Sequence, residues 1–136
     1  MITKQRTPNI KLGKYKGAKM IEAVGIVGHG FVGQSTSFGF SPVLPVYIHD
    51  KDFMRSSNTL EETVNNSDVI FVSVPTPMNA DGSINLDIIH NAFKEISEVN
   101  ERKDNVIVLK STVVPGTTQK LAKKYKKLNG PHIKKN

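Results

Sequence analysis

Four short apolar runs, each followed by a segment that can form a helix, constrain the fold of this chain more than any other feature. The runs are Glu22–Val27, Leu44–Asp50, Asp68–Val74 and Asn105–Leu109. Short runs rich in β-branched residues predict strands that are buried on both faces of a sheet. Their alternation with helices predicts parallel strands joined by right-handed crossovers. We therefore expect an α/β fold, with a doubly wound parallel sheet between two layers of helices in a single domain.

The segments between these runs carry helix signals. The predicted helices are Phe31–Phe40, Thr59–Asn66, a third from about Leu86 to Arg102, and a basic amphipathic helix that ends near Leu128. Thr59 and Glu62 have the spacing of a capping box, which closes the first turn of a helix. Before the third helix, the stretch PTPMNADGSINLD predicts a long loop because it is rich in turn-forming residues.

Charge is distributed unevenly along the chain, whose net charge is +7. Residues 1–20 contain six Lys or Arg and residues 105–136 contain eight Lys, whereas all twelve acidic residues lie between Glu22 and Asp104. Basic ends of this kind can bind a polyanion, but no known nucleic-acid motif accompanies them. We expect solvated ends and no nucleic-acid partner. The predicted organisation is a basic extension over 1–20, one domain over 21–128 and a basic tail over 129–136.

Several classes of protein are disfavoured by what the sequence lacks. The chain has no cysteine, which removes disulfide bonds and thiol chemistry. No window approaches the roughly 20 apolar residues of a membrane span. The N-terminal stretch has no apolar core of the kind that a secretory signal needs. We expect a cytoplasmic protein with neither a membrane nor a metal as partner.

The stretch VGIVGHGFVGQS places three glycines between the first predicted strand and the first predicted helix. Gly28 permits a tight turn, Gly30 lets the main chain approach a pyrophosphate, and Gly33 lets the helix pack close to the strand. Free N–H groups and the helix dipole then favour phosphate. The remaining loop residues, expected to contribute mainly main-chain groups, are His29, Phe31 and Val32. We expect His29 to be a solvent-facing loop residue, and the alternative is that it contacts a phosphate. The whole context predicts a Rossmann-like dinucleotide-binding domain.

Asp50 ends the second predicted strand, 22 residues beyond Gly28. A carboxylate at this position of a dinucleotide-binding domain accepts hydrogen bonds from the ribose hydroxyls. It would also repel the 2′-phosphate of NADP, so NAD is the predicted cofactor. The alternative is that Asp50 only caps a turn.

Two later stretches, VSVPTPMNADGSINLD and VIVLKSTVVPGTT, narrow the family when they are taken together with GHGFVG. They closely resemble the N-terminal, NAD-binding domain of the UDP-glucose/GDP-mannose dehydrogenase family. The resemblance covers about Glu22 to Leu128, and the VPTP and KSTVxPGT patterns are much more specific than the glycines. It implies an oxidoreductase that acts on nucleotide sugars, as in polysaccharide biosynthesis.

The resemblance implies a set of contacts to NAD. In it, Gly28 to Gly33 wrap the pyrophosphate, Asp50 takes the adenosine ribose, and Arg55 lies beside the adenosine. The residues that line the cofactor after the third strand are Val74, Pro75 and Thr76.

After the fourth strand, the resemblance implies that Ser111 approaches NAD. Thr112 matches a threonine that helps to position a catalytic water near the nicotinamide, and Lys110 is expected to be structural. The alternative for Ser111 and Thr112 is that they cap the N-terminus of the next helix, which favours the same residue types.

The departures from the family pattern concern catalysis. The family oxidises a primary alcohol to a carboxylate in two hydride transfers, through a thiohemiacetal on a cysteine, and this chain has none. The resemblance places that cysteine and the sugar-nucleotide domain beyond Asn136, and the span after Asp50 lacks an insertion common in the family. We expect a truncated NAD-binding domain that is inactive alone, with a nucleotide sugar held by a missing or partner domain. An oligomer is compatible with this interpretation.

Two alternatives stay open at this point. The first is a relative of the β-hydroxyacid dehydrogenases, which share the glycine loop and an ST motif at the fourth strand. The second is a non-catalytic module that binds NAD or another protein.

Overall fold

The computed structural model describes residues 20–111, 113, 115–125 and 133–135. The strands in this part of the chain are β1 (Val24–Val27), β2 (Val46–His49), β3 (Val69–Val72), β4 (Val106–Leu109) and β5 (Ile133–Lys135). The α-helices are α1 (Phe31–Phe40), α2 (Leu60–Asn65), α3 (Asp87–Val99) and α4 (Thr117–Lys124), and a 3₁₀ turn spans Phe53–Arg55.

The strands form one parallel sheet in the order β2-β1-β3-β4-β5. The chain moves from β1 to one edge and then crosses back to β3, so the direction of winding changes between β1 and β3. In open α/β sheets, ligands bind beyond the carboxyl ends of the strands at such a switch point. The predicted α/β, doubly wound fold is confirmed, and it fixes where a ligand site is expected.

Two apolar cores lie on opposite faces of the sheet, as the alternation of side chains along a strand requires. On one face Val24 and Ile26 pack with Leu44, and Phe40 at the end of α1 stacks on Phe71 at 5.5 Å between ring centroids. On the other face β3 and β4 pack against α2, α3 and α4. The fully buried side chains Ile89, Phe93 and Ile96 of α3 confirm the helical spacing found in the sequence.

A capping box sets the N-terminal end of α2. The main-chain N–H of Glu62 donates to Thr59 Oγ1 at 3.1 Å, and the N–H of Thr59 donates to Glu62 Oε1 at 3.0 Å. The predicted capping box is therefore present.

The outer edge of β2 is closed by the short segment that comes after it. Asn58 Oδ1 accepts from the N–H of Ile48 at 3.0 Å, and the Ile48 carbonyl accepts from the N–H groups of Ser57 and Asn58. Ser56 Oγ accepts from the N–H of Asp50 at 3.2 Å. This segment satisfies main-chain groups that would otherwise be unpaired at a sheet edge, and it holds the end of β2.

The structure adds one strand to the four that the sequence predicts. Ile133–Lys135 pairs with β4, within the span predicted as a basic tail. The tripeptide has no apolar run that could signal a strand in the sequence. Its pairing needs no such signal, because it uses main-chain groups, which every residue has. The predicted extension over 1–20 and the last residues of the fourth helix lie almost wholly outside the described residues.

At the amino end of the sheet, Asp68 joins the residues that precede β1 to the segment that follows α3. Its Oδ2 accepts from the N–H groups of Glu22 at 2.7 Å and Ala23 at 3.1 Å, while Oδ1 accepts from Arg102 Nη2 at 2.8 Å. Partial burial raises the pKa of Asp68, but the Arg102 guanidinium and the two N–H groups outweigh it, and the pKa is lowered overall. Ionised Asp68 therefore stabilises the fold.

Asp68→Asn is expected to lower the free energy of unfolding at pH 7 by about 2 kcal/mol, the scale of hydrogen bonds to a charged group. Because the folded pKa lies below the unfolded value, this contribution is present above about pH 4 and is lost as the pH falls through the folded pKa. Urea unfolding across pH 7 to pH 3 should show the gap to wild type closing, with Glu98→Gln as an exposed control. A gap that is absent at pH 7, or that does not close, would contradict this account.

Candidate functional site

The segments after β1, β2, β3 and β4 meet at the switch point and line an open cavity of 340 Å³. Ten of the residues predicted for the cofactor site line it, and they are Gly28, Gly30, Phe31, Val32, Asp50, Arg55, Val74, Pro75, Thr76 and Ser111. Of the other predicted residues, His29 and Gly33 lie in the glycine loop but do not line this cavity, and Thr112 lies outside the described residues.

Two of the glycines are required by the packing of the loop. Gly28 has a φ of +95°, and a Cβ there would lie 2.5 Å from the carbonyl oxygen of Ser73. A Cβ on Gly33 would collide with the carbonyl oxygen of Gly28. The turn after β1 therefore sits directly against both β3 and α1, as the sequence predicts for close helix–strand packing.

Gly30 differs from the other two glycines. Among the described residues, no heavy atom beyond its chain neighbours lies within 4 Å of the place where its Cβ would stand. Its φ of −80° is open to any residue, so neither strain nor packing demands glycine here. The space beside Gly30 belongs to the cavity. A glycine at this point leaves the main chain open to the cavity.

The N-terminus of α1 opens beside the same space. Gly30 is its N-cap, no side chain caps it, and its first turn contains no acidic residue. The first N–H groups of a helix have no partner within the helix, and together with the helix dipole they attract an anion. The loop thus has the properties of a pyrophosphate site.

Asp50 is held by two main-chain N–H groups. Its Oδ2 accepts from the N–H of His29 at 2.6 Å, and its Oδ1 accepts from the N–H of Asp52 at 2.7 Å. The second bond closes a turn, so Asp50 does cap a turn, as the alternative prediction states. This role does not use all of its acceptor capacity. Each carboxylate oxygen can accept more than one hydrogen bond, so Asp50 retains acceptor capacity toward the cavity that it lines.

The other predicted loop residues differ in exposure and in contacts. Phe31 and Val32 are 88% and 47% exposed, which fits a main-chain role for both. His29 is half-buried and its Nε2 is buried, without a hydrogen-bond partner among the described residues, so it faces solvent less than the sequence predicts. Arg55 lines the cavity, and its Nε lies 3.5 Å from Asp52 Oδ2.

Ser111 contacts the end of β3. Its Oγ donates to the Val74 carbonyl at 2.8 Å and accepts from the Val74 N–H at 2.9 Å. The N-cap of α4 is Gly116, so the helix-capping alternative is wrong for Ser111. Lys110 also lines the cavity, with its Nζ 6.0 Å from the centre of the Phe71 ring.

A second cavity of 270 Å³ adjoins the first and shares four lining residues with it: Gly28, Asp50, Val74 and Pro75. Its far wall is largely apolar and comes from α2 and α3, through Leu60, Ile88 and Ala92. Sequence reasoning missed these three residues. Their helical spacing is visible in the sequence, but which helix faces the switch point depends on the crossover.

No group of His, Asp or Glu that could hold a metal ion occurs among the described residues. In the same part of the chain, we find no helix with both the length and the apolar character of a membrane span.

Comparison with known proteins agrees with this geometry. The chain is 35% identical over 82 residues to the UDP-glucose 6-dehydrogenase AglM of Haloferax volcanii, a match that covers 59% of this chain and 18% of the relative. It is 29% identical over 123 residues to the UDP-glucose 6-dehydrogenase YwqF of Bacillus subtilis, covering 68% and 28%. The chain thus spans less than a third of the length of these relatives.

The fold is similar to that of the solved GDP-mannose dehydrogenase of Pseudomonas aeruginosa. The TM-score is 0.71 at 21% sequence identity, over 82% of this chain and 34% of that chain. At this identity the likeness shows the fold alone.

Residues 42–134 match the family described as "UDP-glucose/GDP-mannose dehydrogenase family, NAD binding domain". The matched range includes Asp50, Val74 and Ser111 and begins after the glycine loop, whose geometry is given by the structure. This match supports the nucleotide-sugar dehydrogenases over the β-hydroxyacid dehydrogenases. The chain belongs to the UDP-glucose/GDP-mannose dehydrogenase family and corresponds to its NAD-binding domain.

Proposed function

We propose that this chain holds NAD across the switch point between β1 and β3, as the cofactor-binding part of a nucleotide-sugar 6-dehydrogenase of the UDP-glucose or GDP-mannose type. When bound, NAD would supply the hydride acceptor for oxidation of the sugar carbon. The observation that carries the proposal is the open space at Gly30, since a glycine that neither strain nor packing requires lies at the bare N-terminus of α1. A pyrophosphate fits both features.

The two halves of the dinucleotide are assigned to the two cavities. The 270 Å³ cavity suits the adenosine, because Leu60, Ile88 and Ala92 offer apolar surface to a base and Asp50 lines both cavities. The 340 Å³ cavity suits the pyrophosphate and the nicotinamide half of the cofactor, since it contains Gly30 together with Thr76 and Ser111.

We place the cofactor-binding unit within residues 21–128, together with β5, which pairs with β4. We place its setting in the cytoplasm, in polysaccharide biosynthesis. The names of the matched relatives support oxidation of a nucleotide sugar. Those relatives are several times longer, so the nucleotide sugar is assigned to residues outside this unit, in the same polypeptide or in a partner.

Preference for NAD over NADP tests the assignment of Asp50. The unchanged chain should bind NAD more tightly, because the Asp50 carboxylate, fixed by two N–H groups, repels a 2′-phosphate. Asp50→Asn should weaken the affinity for NAD about tenfold, because the variant loses hydrogen bonds to a charged group. It should also reduce the difference between the affinities for NAD and NADP. Asp81→Asn, in an exposed loop, makes the same charge change as a control. Calorimetric titration that gives equal affinities for NAD and NADP in the unchanged chain would exclude this role.

A further inference from the structure

We propose that Ser111 is a positioning residue for the cofactor: its hydroxyl fixes the main chain of Val74, and the affinity for NAD depends on that attachment. This inference rests on the proposed function. It differs from the contact to NAD that family resemblance implies for Ser111, because here the serine acts through the segment that follows β3.

The Ser111 hydroxyl forms hydrogen bonds just beyond the point where the main-chain ladder between β3 and β4 ends. The ladder between β3 and β4 ends with the N–H of Lys110, which donates to the Val72 carbonyl at 2.9 Å. Beyond that point, Ser111 Oγ both accepts from the Val74 N–H at 2.9 Å and donates to the Val74 carbonyl at 2.8 Å. One side chain therefore holds both main-chain polar groups of Val74.

A serine hydroxyl has one proton, and here that proton is donated to Val74. Ser111 lines the cavity. It can nevertheless donate no hydrogen bond to a ligand in this arrangement, and we infer that its effect on cofactor binding passes through Val74.

Val74 is positioned to transmit such an effect. It lines both cavities, and so it forms part of the boundary between the two halves of the proposed cofactor. Its Cγ1 would lie 3.1 Å from a Cβ on Gly28, which places it against the turn of the glycine loop. Pro75, the next residue, has no N–H with which to continue the ladder. Without Ser111 the described contacts leave both main-chain groups of Val74 without partners.

The hydroxyl can be separated from side-chain size by three variants. Ser111→Ala removes the hydroxyl, Ser111→Val removes it and adds volume, and Ser111→Thr has nearly the shape of valine but keeps the hydroxyl. The control is Ser67→Ala, at the opposite end of β3, where a buried hydroxyl has no hydrogen-bond partner among the described residues.

The experiment is a calorimetric titration of the full chain with NAD, at a temperature where circular dichroism shows each variant folded. Ser111→Ala and Ser111→Val should weaken NAD about tenfold, the scale of two neutral hydrogen bonds. The affinity of Ser111→Thr for NAD should stay within about twofold of wild type, because this variant keeps the hydroxyl. The affinity of Ser67→Ala should equal that of wild type. Amide exchange should become faster at Val74 in the first two variants only.

Three outcomes would overturn the inference. Unchanged NAD affinity in Ser111→Ala and Ser111→Val, with faster exchange at Val74, would show that the attachment is structural and that binding ignores it. A loss in Ser111→Thr equal to that in Ser111→Val would assign the effect to volume. If the unchanged chain does not bind NAD, the proposed function itself fails, and this inference fails with it.

Discussion

Replacing Gly30 with valine is expected to abolish measurable NAD binding, a loss of at least about 100-fold in affinity, or about 2.7 kcal/mol. The side chain would enter the open space beside the N-terminus of α1, where the pyrophosphate is proposed to lie. The fold should survive, because the backbone angles at Gly30 suit a side chain and no described neighbour stands in its way. Calorimetry with NAD and thermal unfolding by circular dichroism measure the two effects separately.

Two other glycines serve as matched controls for this variant. Gly39, near the end of the same helix, also has no described neighbour within 4 Å of a Cβ, so Gly39→Val should leave NAD affinity unchanged. Gly33→Ala should instead destabilise the fold by about 2–3 kcal/mol, the cost of overpacking, since its Cβ collides with the Gly28 carbonyl. A folded Gly30→Val variant with wild-type affinity would show that the glycine loop is structural only.

The second large effect is an absence of turnover: the 136-residue chain should not oxidise UDP-glucose or GDP-mannose at saturating NAD. It has no cysteine, so the thiohemiacetal that family resemblance implies has no thiol to form on. It also has no assigned site to hold the sugar carbon against the nicotinamide. Loss of such positioning alone can raise the barrier by about 7–11 kcal/mol.

NADH absorbance, followed for hours with each nucleotide sugar and a highly pure sample, measures this directly. A full-length nucleotide-sugar dehydrogenase gives the positive control. Turnover that tracks the protein and disappears in Thr112→Ala would show that the chain is a complete enzyme, in contradiction to the proposed role.

The elements of the fold with a strong sequence period were predictable. Buried strands such as β3 show as continuous apolar runs, and α3 shows as apolar residues at helical spacing, because burial acts on every residue of these elements. β5 gives no such signal. Its pairing with β4 is a main-chain interaction that Ile133–Lys135 shares with any other tripeptide.

The same distinction holds for the candidate site. Gly28 and Asp50 are recognisable in the sequence, because a positive φ and a carboxylate at a strand end restrict the residue type. The bond from Ser111 to Val74 was not found, because it joins residues 37 positions apart and depends on the register between β3 and β4. The burial of His29 Nε2 likewise depends on packing that no local pattern encodes.

The measurement that tests the central claim most directly is a calorimetric titration of the purified, unchanged chain with NAD and, separately, with NADP. We predict saturable binding of one NAD per chain, and weaker binding of NADP because of Asp50. A folded chain that gives no saturable heat with NAD up to about 1 mM would contradict the proposed function. At that concentration, a site that binds NAD with only about −4.1 kcal/mol would already be half-saturated.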